Sequence, residues 1–472
     1  MSGDYSRKTF DPGKHYSGVL MQQGRVQLDA DWNEQIAIQQ HRTQTEAGDV
    51  IGTCGVPKRV DGLNIGFTPD GSDLTISPGR IYVGGILCEL DRPVLYALQP
   101  NLPLAPDVTG DGIYLAYLDV WERHVSYLED EDEHGDEPCI REVALGGADT
   151  ATRAKVVWQV KTLRISTSQM RELGIRRVHP TSPEIALDLD RFHSAWQEFA
   201  QSRWQPANRG RLKAWARMPE GTVSPSGARY VGAENQLYRV EIHGGGQAGE
   251  ATFKWSRENG SVVFPILSIA GQEVTLGHLG PDSRFDLKVG DWVEITDDDP
   301  ALLGLAEPLR QVVGIDRDEA RVTLNAAPAT ARDDRAKHPL LRRWDHGAAP
   351  TAPNGLHLDE ASGAVKVWVD DGSPGGNSTW HLEDGVFTEF CQPGESAFRS
   401  GDYWLIPART ATGDVEWPGP VRDPAQLAPR GVAHHYAPLA VLVSRDRRVT
   451  VEADCRLTFE PLARPVSRRG DG

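Results

Sequence analysis

The chain has 472 residues, of which 39% are hydrophobic and 25% charged, and its formal net charge is -17. The acidic surplus disfavours a nucleic-acid partner, because like charges repel a phosphate backbone. The length predicts two to four domains. The high glycine and proline content, 48 and 32 residues, favours a turn-rich, mainly β fold.

The cysteines are far apart and include no C-x-x-C pair, which argues against a disulfide framework and a zinc knuckle. This cysteine usage fits synthesis in a reducing cytosol. The N-terminus has no apolar signal core, and no apolar run approaches the roughly 18 residues of a membrane-spanning helix. We therefore expect no secretory signal and no membrane insertion.

Residues 1–50 predict an N-terminal segment with a helix. Asp31 can cap a helix that begins near Trp32, and Glu34 follows three residues later, as in a capping box. Helix-forming residues continue to about Glu46. The helix is mostly polar, so it either lies exposed on the surface or packs on a partner, and the pattern favours the surface helix.

Residues 51–175 predict a first β domain. Two short strands flank Gly84-Gly85, which is a typical two-residue hairpin loop, and residues 113–121 form a long apolar strand pattern. Residues 176–206 predict a helix that links this domain to the next. Its apolar stripe recurs every three or four residues and consists of Leu189, Phe192, Trp196, Phe199 and Ala200.

Residues 207–460 predict a second β domain with a small barrel-like insertion at about 271–340. Asn259-Gly260 lies between two apolar-rich runs and predicts a β-hairpin, because both residues accept positive φ. Arg239, Glu241 and Lys254 alternate with apolar residues and predict an ordinary polar sheet face. The main sheet is predicted to resume at 341–345 and to end with a strand at 439–443, and residues 461–472 predict a disordered tail. The fold class is therefore mainly β, with multi-domain β-sandwich and barrel-like modules, an N-terminal helix and one linking helix.

Candidate chemistry is sparse in the sequence. The triplet Asp297-Asp298-Asp299 could bind calcium, but the pattern favours a loop after a strand. His434-His435 could ligate a metal, but a structural role is favoured. The acidic run at 129–137 is favoured as a solvated loop over a cation site. No P-loop, G-x-S-x-G or dinucleotide fingerprint is present, so we expect no cofactor, no metal and no catalytic residue. Trp417 is the best candidate for an exposed, ligand-binding tryptophan.

Several long motifs resemble a known bacterial domain family of unassigned biochemical function, whose members often accompany phage-tail-like contractile injection systems. The matching motifs lie at residues 10–26, 31–34 (Asp-Trp-Asn-Glu), 119–123 (Asp-Val-Trp-Glu-Arg), 142–150, 232–243, 251–264 and 401–409. The resemblance implies a non-enzymatic structural component of such a particle, at the baseplate or on a surface appendage. It also implies other particle proteins as partners, a homo-oligomer by particle symmetry, and cytoplasmic synthesis followed by release within the particle.

On that basis residues 1–46 are predicted to contact neighbouring subunits. The candidate docking residues are Phe10, Tyr16, Met21, Trp32 and Asn33. Two alternatives stay open at this stage. A receptor- or carbohydrate-binding module would use exposed tryptophan and acidic loops and would bind a glycan, whereas a glycan hydrolase would need a cleft with two convergent carboxylates.

Overall fold

The computed structural model describes residues 2–460 except 70, 72, 107, 109, 131–139, 180–183, 206–207, 219–227, 283, 331, 348–356, 370–377 and 447. The predicted tail and most of the acidic run at 129–137 lie outside the described residues. Within the described part the protein is mainly β and consists of several antiparallel sheets, as the sequence predicts.

The secondary-structure elements have the following bounds within the described residues. The α-helices are α1 (Asp29–Ile51), α2 (Thr167–Glu172), α3 (Leu189–Trp204) and α4 (Asp298–Leu303). The strands before α3 are β1 (Cys54–Pro57), β2 (Ile65–Phe67), β3 (Leu74–Ile76), β4 (Gly79–Val83), β5 (Ile86–Leu90), β6 (Val94–Leu95), β7 (Gly112–Val125), β8 (Arg153–Ile165), β9 (Arg176–Arg177) and β10 (Ile185–Ala186). The strands after α3 are β11 (Arg211–Ala216), β12 (Gln236–Gly244), β13 (Thr252–Ser256), β14 (Val263–Ala270), β15 (Glu273–Leu276), β16 (Trp292–Thr296), β17 (Arg310–Asp316), β18 (Arg321–Leu324), β19 (Leu340–Trp344), β20 (Val365–Lys366), β21 (Thr379–His381), β22 (Val386–Cys391), β23 (Tyr403–Arg409), β24 (Asp414–Val415), β25 (His435–Arg445), β26 (Arg448–Asp454) and β27 (Thr458–Phe459).

The first module is built around a four-stranded antiparallel sheet in the order β26-β25-β7-β8. Side chains alternate along β7, so Leu118 and Val120 face one core while Leu115 and Tyr117 face another. The first core lies against the small sheets β27-β1-β4-β5 and β2-β3-β6, and the second lies against α2 and α3, including Trp196. Because both faces of β7 are covered, its sequence is almost continuously apolar.

Strand β25 of this sheet does not belong to the domain in which the sequence pattern places it. The sequence pattern places residues 439–443 in the second domain, but β25 pairs along its length with β7, and β27 pairs in parallel with β1. Residues 435–459 therefore belong to the first module. The prediction failed because local periodicity identifies a strand but carries no information about a partner that lies more than 300 residues away in the chain.

The second module is a β-sandwich. The five-stranded sheet β20-β13-β12-β23-β24 packs on the three-stranded sheet β11-β22-β21. Val240, Phe253 and Trp404 from the larger sheet meet Leu212 and Phe390 from the smaller one. The opposite face of the larger sheet is polar, and it faces the third module.

The third module is a closed six-stranded barrel in the order β14-β15-β18-β17-β16-β19. It spans residues 263–344 and so extends past both ends of the predicted insertion at 271–340. The segment at 341–345, predicted to resume the main sheet, instead supplies β19, which closes the barrel between β14 and β16. Helix α4 follows β16 and places Leu302 against Trp121 and Val157 of the first module.

The N-terminal arm (residues 2–51) runs over the surface where the three modules meet. It ends in α1, which begins three residues earlier and ends five residues later than the sequence predicts. Of the 23 residues of α1, only Ala30 and Ile38 are buried. The helix therefore lies exposed on this chain, as the polar pattern indicates.

Candidate functional site: the junction beneath the N-terminal arm

The turn at Asn259-Gly260 lies at the centre of the junction. Both residues have positive φ, 51° and 66°, and the Ser261 N–H donates to the Glu258 carbonyl across the turn. The flanking strands β13 and β14 do not pair with each other, because β13 pairs with β12 and β20 while β14 pairs with β15 and β19. The hairpin prediction is therefore wrong, although the turn conformation is as predicted. The turn carries the chain from the sandwich into the barrel.

The turn also anchors the arm. The buried Asn259 side chain donates from Nδ2 to the Gly3 carbonyl at 2.8 Å and accepts from Arg239 at 3.3 Å. Two residues later, the Tyr5 hydroxyl is 2.8 Å from the Thr152 hydroxyl next to β8. The start of the arm is thus held by the sandwich-to-barrel turn and by the first module.

A network of buried charges lies beside the turn, and we call it the junction network: Arg239, Glu241, Lys254, Glu294, Trp344 and Tyr403. Lys254 Nζ is 2.8 Å from Glu294 Oε1 and 3.4 Å from Glu241 Oε1, and it lies 4.3 Å from the centre of the Trp344 ring. The Trp344 indole N–H donates to Glu294 at 3.0 Å. This face was predicted to be an ordinary polar sheet face, but the barrel covers it, and Lys254 is only 2% exposed.

The electrostatics of the network follow from this pairing. Burial alone would raise the pKa of Glu294, but the attraction of Lys254 and Arg342 and the hydrogen bond from Lys254 outweigh burial and hold the pKa at about 2. The pKa of Glu241 is lowered in the same way, since Arg239 and Lys254 outweigh the effect of burial. Both carboxylates are therefore charged at neutral pH. They join β12, β13 and β16, which belong to two modules.

Three histidines surround the network. Burial, reinforced by nearby positive charges, lowers the pKa of His243 and of His346 to about 4 and that of His124 to about 3. The His346 Nε2–H donates to the Gly363 carbonyl at 2.8 Å, and the ring stacks on Trp292. Because burial disfavours the charged form, these rings are neutral at pH 7.

A cleft of about 1190 Å³ lies between the arm, the ends of β7 and β8, and the barrel. Three of the predicted docking residues, Phe10, Trp32 and Asn33, line it together with Phe264 and Phe285 of the barrel side. The other two, Tyr16 and Met21, lie exposed on the arm outside the cleft lining. Their role in docking stays a prediction.

Other predicted positions have structural partners. Asp297 caps α4 and pairs with Arg332, and the next two aspartates pair with Arg123 and Lys337. His434 lies 2.7 Å from Asp119, and its ring packs on Trp121. Among the residues that the structure describes, no group of three or more His, Cys, Asp or Glu side chains is arranged to hold a metal ion.

Trp417 is less exposed than the sequence suggests. Its ring packs at the edge of the sandwich core, and its indole N–H donates to the Ala425 carbonyl at 2.9 Å. Ligand binding at Trp417 stays a prediction. The tryptophan with a large exposed surface in this module is Trp368, next to Gly249.

Two carboxyl groups near the turn, the buried Glu258 and the half-buried Glu383, have raised pKa values, which is one requirement of a glycan hydrolase. Burial raises the pKa of both Glu258 and Glu383. Each is 2.7 Å from an arginine, Arg284 for Glu258 and Arg257 for Glu383, and the Tyr238 hydroxyl also donates to Glu383. These contacts give both groups a structural role in holding the turn.

The prediction that tests the anchor is an Asn259→Gly substitution. Glycine keeps the positive φ of the turn but removes the amide that holds Gly3, so we expect faster backbone hydrogen exchange in residues 3–10. The loss of a buried hydrogen bond costs roughly 1–3 kcal/mol. The control is Asn235→Gly, at an exposed asparagine that bonds Thr410 and not the arm. Exchange in the arm that matches the wild type would contradict the anchor.

The junction network was missed because charged residues that alternate with apolar ones are usually solvent-facing. In the structure, the charges of this face pair across the strands. Glu241 and Lys254 have opposite charges and pair directly across two neighbouring strands, and Glu294 pairs in the same way with Arg342. Opposite charges that face each other across strands stabilise covered and solvated sheet faces alike, so this pairing does not by itself reveal the barrel.

Comparison with known protein families gives a match, which covers most of the chain. A family of unknown function (DUF6519) matches residues 1–178 and 202–465. The matched ranges contain the arm, the Asn259-Gly260 turn and every residue of the junction network. No match was found among curated proteins or among solved structures.

Proposed function

The chain belongs to a family of unknown function (DUF6519), and we propose that it serves as a non-enzymatic structural subunit of a phage-tail-like contractile injection particle, at the baseplate or on a surface appendage. The observation that carries this proposal is the N-terminal arm. Its side chains that protrude into solvent include large apolar ones: Tyr16, Leu20, Met21, Val26, Trp32 and Ile36. Several exposed apolar side chains on one short segment are typical of an interaction site.

The rest of the molecule supports a scaffold role. The sandwich, the barrel and the first module are joined by buried ion pairs and by α4, where Arg123 of β7 lies 2.6 Å from Asp298. Among the described helices, none has the length together with the apolarity needed to cross a bilayer. A body held at several points positions the exposed arm for docking.

We assign the arm a second copy of this chain as its partner, in a homo-oligomer. The whole chain has a net charge of -17, but the first 28 residues are net positive, with two acidic residues and four basic ones: Arg7, Lys8, Lys14 and Arg25. This net positive segment, which also exposes Tyr16, Leu20 and Met21, is complementary in charge to the acidic surplus of a neighbouring copy. Closed symmetry would repeat this contact around the particle.

Substitution of both Met21 and Trp32 by Asp tests the arm. These side chains are 51% and 59% exposed, so the fold should be retained while association is lost. We expect the self-association constant of the purified chain, measured by analytical ultracentrifugation, to fall at least about tenfold, as for loss of interface anchors. The control is a double Asp substitution of Val289 and Leu305, which are exposed on other surfaces and should leave association unchanged. An unchanged constant in the arm variant would refute docking on a second copy.

Particle membership needs a separate experiment. Contractile particles would be purified from a bacterium that produces this chain, and the chain would be quantified by mass spectrometry and located by electron microscopy. We expect it in stoichiometric copies at the baseplate or an appendage. Its absence from intact particles would overturn the particle assignment and would leave the arm result to stand by itself.

A further inference from the structure

A second cavity, of about 840 Å³, lies on the first module, away from the arm cleft. It forms where the end of β8 meets α2, β9 and the first turn of α3. Five arginines line it, namely Arg164, Arg171, Arg176, Arg177 and Arg191, and no acidic residue does. This concentration of positive charge occurs in a chain with 67 acidic and 50 basic residues. The cavity is called the arginine pocket below.

One arginine of the pocket is held by a hydrogen bond to the backbone. Arg164 donates from Nη2 to the Asp111 carbonyl at 2.7 Å, which holds its guanidinium over the backbone of Gly112. The Arg191 side chain passes close to Gly174. The Arg164 guanidinium is therefore held in place before any ligand arrives, which lowers the entropy lost on binding.

Four of the five arginines lack a carboxylate partner in the part of the chain that the structure describes. Within the described residues, no ion pair joins Arg164, Arg171, Arg176 or Arg191 to a carboxylate. The acidic neighbours in sequence, Glu172 and Asp190, lie outside the pocket lining. Uncompensated like charges repel one another, so an anion that enters the pocket would relieve that repulsion.

The remaining lining suits an organic phosphate or sulfate. Ser166, Thr167 and Gln169 supply hydroxyl and amide groups at the rim, and Ile113, Ile165, Met170 and Ile175 form an apolar floor. Guanidinium groups bind phosphate and sulfate oxygens through two parallel hydrogen bonds. The volume lies within the roughly 300–1,000 Å³ range of small-ligand sites.

We propose that the arginine pocket binds a ligand that carries two or more phosphate or sulfate groups. Such a group could belong to a soluble metabolite or to the head group of a phosphorylated lipid, since both present the same oxyanions. The proposal is independent of the arm and of particle membership.

The test is titration calorimetry of the full-length chain with inorganic tripolyphosphate at low salt. We expect a dissociation constant well below about 1 mM. The affinity should fall steeply as salt is added, because salt screens exposed charges. Substitution of Arg176 and Arg191 by Gln should each weaken binding at least about tenfold, as expected for loss of a charge-assisted hydrogen bond. The control is Arg92→Gln, an exposed arginine outside the pocket, which should bind as the wild type does.

Further arms of the experiment identify the source of the ligand. The protein would be sedimented with phosphatidylcholine vesicles that either contain or lack a phosphorylated inositol lipid. Co-sedimentation with only the vesicles that contain this lipid, together with release of the protein by tripolyphosphate, favours a lipid head group. Tripolyphosphate binding without vesicle retention favours a soluble ligand. The proposal is overturned by absence of tripolyphosphate binding, or by equal weakening in Arg92→Gln and the pocket variants while all unfold at the wild-type temperature. Duplex DNA binding that tripolyphosphate does not displace would also overturn it.

Discussion

Replacement of Lys254 by Met is expected to destabilise the protein by about 3–5 kcal/mol, the typical cost of removing one partner from a buried ion pair. Lys254 neutralises both Glu294 and Glu241, and methionine keeps much of its volume while removing the charge. Glu241 would then keep its hydrogen bond from Arg239, and Glu294 would keep the Trp344 N–H and the nearby positive charge of Arg342. The measurement is the free energy of unfolding in urea at pH 7, followed by tryptophan fluorescence.

A surface pair of the same length provides the control. Lys58 Nζ is 2.8 Å from Glu460 Oε1, the same separation as between Lys254 and Glu294, but the Lys58 side chain is 61% exposed. Lys58→Met should change stability by less than about 1 kcal/mol, because water screens the exposed pair. Combining Lys254→Met with Glu294→Gln should recover part of the loss, since the stranded charge is removed as well. Equal losses for the two lysine variants would contradict the role assigned to the junction network.

Acidification from pH 7 to pH 5 is expected to destabilise the protein by about 2 kcal/mol for each of His243 and His346. In the folded state burial lowers the pKa of each to about 4, while the unfolded chain has the ordinary value of about 6.5. Between these values the unfolded state binds more protons, so stability falls as the pH drops through this window. His124, with its pKa lowered to about 3, contributes in the same direction.

The groups that face these rings are Lys254, Glu294 and Glu241 for His243, and Lys254, His243 and Asp345 for His346. The carboxylate of Glu294 contributes stability above about pH 4.5, and this contribution is lost only as the pH falls toward about 2. Glu294 therefore does not account for a loss of stability between pH 7 and pH 5. Urea unfolding at pH 7, 6 and 5 would measure the slope. The double variant with Gln at positions 243 and 346 should flatten it, and His15→Gln, on the exposed arm, should not. A slope that the double variant leaves unchanged would refute the assignment.

Local patterns in the sequence predicted much of the architecture. The apolar stripe of α3 places Phe192, Trp196 and Phe199 in a core, although Leu189, counted in the same stripe, is exposed. Gly84-Gly85 joins β4 to β5 as a two-residue hairpin loop, with Val83 paired to Ile86. These features depend on residues within a few positions of one another, where side-chain periodicity and turn chemistry are decisive.

The errors concern relations between distant segments. Asn259-Gly260 has the torsion angles of a hairpin turn, but the partners of β13 and β14 are set by tertiary packing of the sandwich and the barrel. The junction network presents the alternation of a solvated face, and only the presence of the barrel distinguishes it from one. The sequence therefore predicts part of the candidate site. It indicates Phe10, Trp32 and Asn33 of the cleft, but it does not indicate that the charges of the junction network are buried.

The position of β25 has a consequence for how the chain is made. This strand lies in the middle of the first sheet, between β7 and β26, yet 309 residues (126–434) separate it from β7. At roughly 5–20 residues per second, synthesis leaves the edge of β7 without its partner for about 15–60 s. The first module is thus the last to be completed, and an unpaired apolar strand edge invites aggregation or chaperone binding in the interval. Truncation before residue 435 would disable the module farthest from the cut in sequence.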